Sequence, residues 1–552
     1  MTPMTPTERY SPRKGAIAAG HPLTAAAGAQ MLQQGGNAVD AAVAAAFVSA
    51  VSEYTLSSVG GSGFALVYNA ASGASDLYDF FSAAPGLGRP PVASVNDIDF
   101  RQITVDYGVS QQHFYVGRGA VAVPGNVAGL CAMARQTGRL PLPVLLEPAI
   151  RLMREGCPVS GMQHAISTLI EPIFQMTPGS QAIFCRPDGN LLRPGDLLRM
   201  PELAETLEAL GREGPDLFYR GDVAQAILAD QHDQDGVLTA ADLADYQVIV
   251  RRPLAAKFRD YTVVTNPPPS RGGLLISFAL QLYDGLAGTP TAQGGGLSDH
   301  VEVLAEIMRV TTLARREMER AHVPPEAQEA WLLRPQSVAR WSEELNRLLR
   351  LPASQRPLDW PIAAAASTTQ ISVIDEDGLV VSLTTTAGEG TGFVVPGNGV
   401  ILNNMMGEAD LHPLGWFRMT PGQRIPSMMA PTVVLHDGRP ALALGSGGAN
   451  RIRSAILQVL VNTLARGTTL ETAVRASRIH FEEGVLQIEG GHDPALASAM
   501  GSVGYAVNAW PDQHMYFGGV HAVALGSGGE FTAVGDPRRG GSAIVVCATA
   551  DC

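Results

Sequence analysis

Apolar residues recur along the chain with two different periods. In the first two thirds the spacing is helical. Residues 22–34 and 37–52 read as alanine-rich helices, the first closed by Gly35-Gly36 and the second capped by Asn37. A glycine-rich turn at 57–63 (SSVGGSG) leads into strands at 64–68 and 76–80. Helical spacing returns at 126–137, 145–155, 201–210, 223–231 and 239–245, with Gly156 as a stop and Thr239 as a cap. After a rigid turn at 266–273 (NPPPSRGG), one helix opens at Leu274 and a longer one covers 297–320. The Pro-, Arg- and Ala-rich stretch 323–366 reads as a surface connection, and residues 1–13 as a disordered lead.

Past Ala366 the period becomes two. Strand 368–374, the turn DEDG at 375–378 and strand 379–385 form one hairpin. Residues 432–436 and 440–444 around Asp437-Gly438 form a second, and 521–525 with 531–534 a third. Between them, 445–448 reads as a tight loop and 451–466 as an amphipathic helix ended by Gly467. The whole is an α/β protein with no repeat at the scale of 20–50 residues.

Composition narrows the possibilities. The chain has 552 residues, more than the ~250–300 that one core usually supports. Only 16% of residues are charged, and the net charge is -13, which repels nucleic acid. No apolar stretch reaches a membrane span, and the first twenty residues lack the apolar core of a secretory signal, so a cytoplasmic setting is expected. Five scattered cysteines without a CxxC pair indicate neither a zinc site nor a disulfide framework. No metal or cofactor is called for. GSGGAN at 445–450 lacks the Lys-Ser/Thr of a phosphate loop.

The candidate chemistry centres on Ser367-Thr368-Thr369. A Thr pair at a strand start is ordinary in itself, since strands favour Thr. Here the hairpin brings Thr386 about level with Thr368, and GSGGAN sits between a strand and a helix, where backbone N–H groups form an anion site. A hydroxyl nucleophile, a second hydroxyl and an oxyanion site are the parts that acyl transfer needs.

Eleven motifs, in order, resemble the γ-glutamyltransferase family of N-terminal nucleophile hydrolases. They begin with GGNAVDAAVAAA (35–46), SSVGGSGFALVY (57–68), VAVPGNVAGL (121–130) and LEPAIRLMREGCPVS (146–160). DLFYRGDVAQAI (216–227), PPPSRGG (267–273), STTQISVID (367–375) and GNGVILNNMMGEAD (397–410) follow. SMMAPTVV (427–434), GSGGANRI (445–452) and GDPRRGG (535–541) complete the set.

The resemblance implies a four-layer αββα sandwich made as one precursor that cuts itself between Ser367 and Thr368. The pieces are 1–367 and 368–552, together one globule. Thr368 then serves as nucleophile, with its own freed α-amine as base; such an amine has a pKa near ~7.7–8.0. Thr386 resembles the supporting hydroxyl. The loop with Gly448 and Ala449 resembles the oxyanion hole, where the family usually has two glycines.

The resemblance also points to a departure in the acyl pocket. Phe81 (in YDFFSAAP, 78–85) stands where γ-glutamyl-binding members place an Arg. Ser427 matches the first of two serines, and Met428 replaces the second. Gly388 and Glu408 stand at the Asn and Asp that hold the α-amino group. Glu408 reads equally as an amine ligand or a solvated loop carboxylate. Asn404, with Asn403, is a candidate for substrate contact or turn formation. The expectation is an autoprocessing acyl-transfer enzyme acting on a small-molecule amide, moving γ-glutamyl or a related acyl group to water or an amine. The alternatives are a small-amide (oxamate-type) amidohydrolase and a non-catalytic binding relative.

Overall fold

All fifteen residues of the helix Ala38–Ser52 are buried. An alanine-rich segment with no polar face permits this, because small side chains let neighbours approach from every side. The computed structural model describes residues 13–106, 111–286, 296–357, 368–412 and 414–547. In chain order, β1 (Gly15–Ala19) precedes α1 (Pro22–Gln33) and α2 (Ala38–Ser52), followed by β2 (Ser62–Asn69) and β3 (Ala74–Phe80). Then come β4 (Ile249–Arg251), β5 (Leu254–Phe258) and β6 (Tyr261–Thr265). Four helices follow: α3 (Gly272–Gly285), α4 (Leu297–Arg320), α5 (Pro325–Leu333) and α6 (Pro335–Leu349). The last third holds β7 (Thr369–Asp375), β8 (Leu379–Thr386), β9 (Thr432–His436) and β10 (Arg439–Gly447). Helix α7 (Arg451–Leu460), β11 (Gly519–Leu525), β12 (Phe531–Val534) and β13 (Ser542–Val546) lie there too.

Two antiparallel sheets organise these elements. The first runs β13-β1-β7-β8-β2-β3-β4, the second β12-β11-β10-β9-β6-β5. Helix α2 packs on β7 and β8, while α3 and α7 pack on β5 and β10 of the second sheet. The sheets meet through β7 and β8 against β10 and β11.

Alternation along β7 explains the packing. Ile371 and Val373 join the apolar cluster on the helix side. Gln370 and Ser372 turn toward the second sheet. There Gln370 Nε2 donates to Ser372 Oγ at 3.0 Å and Ser382 Oγ at 2.9 Å, and Thr384 Oγ1 donates to Gln370 Oε1 at 2.6 Å. Ser372 Oγ reaches the His521 carbonyl at 2.9 Å, and Ser382 Oγ the Leu444 carbonyl at 2.8 Å. This polar seam joins the sheets and fixes the strand register, since a one-residue slip would turn every one of these groups away.

Several expectations change. Residues 323–357 are not a surface connection: α5 and α6 bury Leu332, Leu345 and Leu348. Their prolines stand at the first helical turn, where a missing N–H costs nothing, and so start the helices. Residues 358–367 and 1–12 lie outside the described residues, as does Ser367. Arg13, placed in the lead by its sequence, is buried and pairs with Asp377. The loop 445–448 is shorter than expected, because β10 continues through Gly447. The helix from Arg451 is α-helical to Leu460 and widens into a π turn at Val461–Ala465. Strands β1, β4, β5, β6 and β13 are additional to those read from the sequence. Cys131, Cys157 and Cys185 are free thiols, and Cys547 stands in a disulfide bond.

Candidate active site

Thr369 pairs with Thr385, and Thr386 with Ser62. Strand alternation puts Thr368 and Thr386 on the inter-sheet face, with Gln370 and Thr384. Both are buried. Thr386 Oγ1 accepts a hydrogen bond from the Gly388 N–H at 2.9 Å. The Thr368 carbonyl accepts one from Arg539 Nη1 at 3.3 Å. A Cβ at residue 447 would stand 2.0 Å from that same carbonyl oxygen, so β10 can approach Thr368 only with glycine there.

Beyond Gly447 the chain turns sharply. Gly448 has φ +120° and Ala449 φ +50°. The Gly448 and Ala449 carbonyls accept from the N–H groups of Arg451 (2.9 Å) and Ile452 (3.0 Å), which starts α7. Ala449 holds a left-handed conformation that costs a non-glycine residue roughly 1–2 kcal/mol. The turn sits at the positive end of a ten-residue helix.

Seven of the residues singled out from the sequence line one cavity: Phe81, Thr368, Thr386, Glu408, Ser427, Met428 and Ala449. Met405, Asp410, Leu411, Met429 and Ile452 complete its wall. The cavity is narrow, about 20 Å³, which is room for roughly one water molecule. Phe81 stacks on Phe64 at 5.2 Å, which fixes the ring as an apolar wall. Ser427 Oγ accepts from the Met429 N–H at 3.0 Å, leaving its own proton to donate.

The polar end of the cavity is acidic. Glu408 is 2% exposed, which rules out the solvated-loop reading. Its Oε1 is buried without a hydrogen-bond partner. Burial pushes its carboxyl well above the usual range, and the charges of Glu389 and Asp410 push the same way. Burial also lifts Asp410, to about 7, against the pull of Arg315 and Arg451. The described lining contains no Arg or Lys.

Asn403, Asn404, Gly388 and Gly448 do not line this cavity. Asn404 lies behind it: its Oδ1 accepts from the Glu389 N–H at 2.9 Å and its Nδ2 donates to the Tyr115 carbonyl at 3.2 Å. Asn403 is likewise engaged with the Gly60 and Ala122 carbonyls. Gly448 sits one residue before the lining residue Ala449. Three groups near Thr368 went unread in the sequence. Asp410 ends the motif GNGVILNNMMGEAD, and Arg539 lies in GDPRRGG. Glu53, directly after α2, is the third; a charge that closes the largely apolar stretch 41–52 was the available signal. Among the described residues no group of three or more His, Cys, Asp or Glu is placed to hold a metal ion. No described helix is long and apolar enough to cross a membrane.

Residues 24–546 match the family described as Gamma-glutamyltranspeptidase. The chain is 32% identical over 544 residues to the Acylase ACY 1 proenzyme of Pseudomonas sp. (strain SE83), covering 97% of this chain and 94% of that one. It is 30% identical over 557 residues to the Glutathione hydrolase proenzyme of Bacillus subtilis (strain 168), covering 96% and 91%. Its fold resembles that of the cephalosporin acylase from Bacillus halodurans, with a TM-score of 0.82 at 23% identity over 99% of this chain and 98% of that one.

Proposed function

The chain belongs to the gamma-glutamyltranspeptidase family, and from that premise we propose that it is a self-cutting amidase of this family with Thr368 as nucleophile. The observation that carries this reading is the convergence of Thr368, Thr386, Ala449 and Glu408, from separate segments, on one cavity. Its pieces are 1–367 and 368–552, and its fold is the four-layer αββα sandwich of N-terminal nucleophile hydrolases. The names of two relatives as proenzymes support a precursor that is processed.

In this mechanism Thr368 Oγ1 attacks the carbonyl of residue 367, the shift of the acyl group from N to O frees the α-amine of Thr368, and water then cleaves the resulting ester, releasing the carboxylate of residue 367 and the Thr368 hydroxyl. The amine then takes the Thr368 hydroxyl proton as the oxygen attacks the substrate amide, and passes it to the departing amine. The N–H groups of the Gly448-Ala449 turn, at the N-terminus of α7, stabilise the oxyanion. Water or a second amine then takes the acyl group from Thr368. Thr386 supports the nucleophile through its hydroxyl.

The pocket supports a small acyl group. Phe81 and Met428 give apolar walls, and among the described lining residues no guanidinium pairs with an α-carboxylate. Glu408 and Asp410 weigh against an anionic, oxamate-type acyl group and favour one that is neutral or bears an amine. A γ-glutamyl group remains the second reading, favoured by the unpartnered Glu408 Oε1 as a place for its α-amine. Parallel assays with a γ-glutamyl anilide, oxamate and neutral or amino-bearing small amides test this. The small amides are expected to be turned over best; dominant γ-glutamyl or oxamate turnover refutes the pocket reading.

A further inference from the structure

Glu53 follows α2 and is fully buried beside the start of β7. One carboxyl oxygen accepts a hydrogen bond from Thr24 Oγ1 at 2.6 Å, and the other accepts one from Thr369 Oγ1. Thr24 Oγ1 is itself within 2.9 Å of Ser52 Oγ. The fit is tight enough to forbid a side chain at Gly20, whose Cβ would stand 2.1 Å from Glu53 Oε2 and 2.6 Å from Thr369 Oγ1. A buried carboxyl is costly unless it is satisfied, yet this one spends an acceptor site on the residue that follows the nucleophile.

The position of that bond matters because the β7–β8 ladder begins only at Thr369. In the uncut chain, Thr368 is tethered on both sides. After cleavage it becomes a chain terminus, the part of a strand most prone to fray. Thr369 is then the first residue in the ladder, and its side chain is held from the other piece of the molecule.

We propose that Glu53 is a positioning residue whose carboxyl, through the Thr369 hydroxyl, holds the start of β7 so that Thr368 keeps its place in the cavity after the cut. The proposal rests on Thr368 being the nucleophile of a processed chain. Burial raises the Glu53 carboxyl to about 7, while Thr24, Thr369 and the Arg539 charge oppose that rise. The carboxylate accepts both hydroxyls; protonation converts one acceptor oxygen into a donor. The grip therefore tightens as pH rises through neutrality.

The test uses the full-length protein and four variants: Thr369→Val, Thr369→Ser, Glu53→Gln and the Glu53→Gln/Thr369→Val double. Processing is read on denaturing gels, and kcat and KM as a function of pH on the best amide found. All variants are expected to give two bands. Thr369→Val is expected to lower kcat by roughly 10- to 100-fold, with KM within about twofold, and Thr369→Ser to restore most of it. Glu53→Gln should lose the ionisation near 7 from its kcat profile, and the double variant should be no worse than Thr369→Val alone. A processed, active wild type whose Thr369→Val variant keeps its kcat, or whose two substitutions act additively, overturns the proposal alone. A wild type that stays in one piece removes its premise.

Discussion

Thr369 lies opposite Thr385 in the β7–β8 ladder, and the next residue outward on each strand, Thr368 and Thr386, lines the same cavity. Two hydroxyls are thereby held together by backbone register rather than by a mobile loop. Thr386 Oγ1 also anchors the turn that follows it, by accepting from the Gly388 N–H.

Removing the Thr386 hydroxyl should therefore act on chemistry more than on folding. Thr386→Ala is expected to slow processing and to lower kcat by about tenfold or more, while Thr386→Ser retains most of both. Time-resolved gels and steady-state kinetics check this. Equal rates for Thr386→Ala and the wild type would remove Thr386 from the mechanism.

Ala449 carries a positive φ that glycine adopts freely. Ala449→Gly relieves that strain but gains unfolded-state entropy, so its stability should stay within about 1 kcal/mol of wild type. Ala449→Val, β-branched at φ +50°, should lose more than ~1 kcal/mol and most activity. Denaturant midpoints and kcat measure both. A fully active, equally stable Ala449→Val variant contradicts the assigned turn.

Much of this was legible in the sequence because the elements involved are local. The period-two pattern of 368–385, with DEDG between its halves, dictates the hairpin that sets Thr368 beside Thr386. The capping of α2 by Asn37 was equally readable, and the structure contains the full reciprocal cap between Asn37 and Asp40. What was not legible depends on distant contacts. β1 is a five-residue run, GAIAA, whose strand character comes from being inserted between β7 and β13. Glu408 reads equally as an amine ligand or a loop carboxylate, because burial cannot be read from a glycine-rich segment. The helices at 325–349 were hidden by prolines and arginines, although Leu345 and Leu348 already had helical spacing.

A raised carboxyl pKa makes stability depend on pH. Asp410 sits at about 7 in the folded chain against an ordinary value of 3.8. Between those values the folded state holds more protons than the unfolded state, so stability falls as pH rises from about 4 to 7 and levels off above. Asp410→Asn removes that contribution. The variant should gain stability relative to wild type as pH rises from 5 to 7.5, measured by denaturant midpoints. A difference that is constant across this range contradicts a raised Asp410 carboxyl in the folded chain.

Glu408 offers a separable test of the pocket. Glu408→Gln keeps the shape of the side chain and removes its ability to ionise against a substrate amine. KM for an amine-bearing amide should rise by about tenfold or more, the loss expected for a hydrogen bond to a charged group, while KM for a neutral amide changes little. Equal effects on both substrates would mean that Glu408 holds the pocket rather than the substrate.

The most direct measurement of the central claim is intact mass and N-terminal sequencing of the purified protein under denaturing conditions, beside its Thr368→Ala variant. The account predicts two chains in the wild type, residues 1–367 and 368–552 with Thr368 as the new N-terminus, and a single uncut chain in the variant. An uncut wild type, a cut elsewhere, or processing that persists in Thr368→Ala would contradict it.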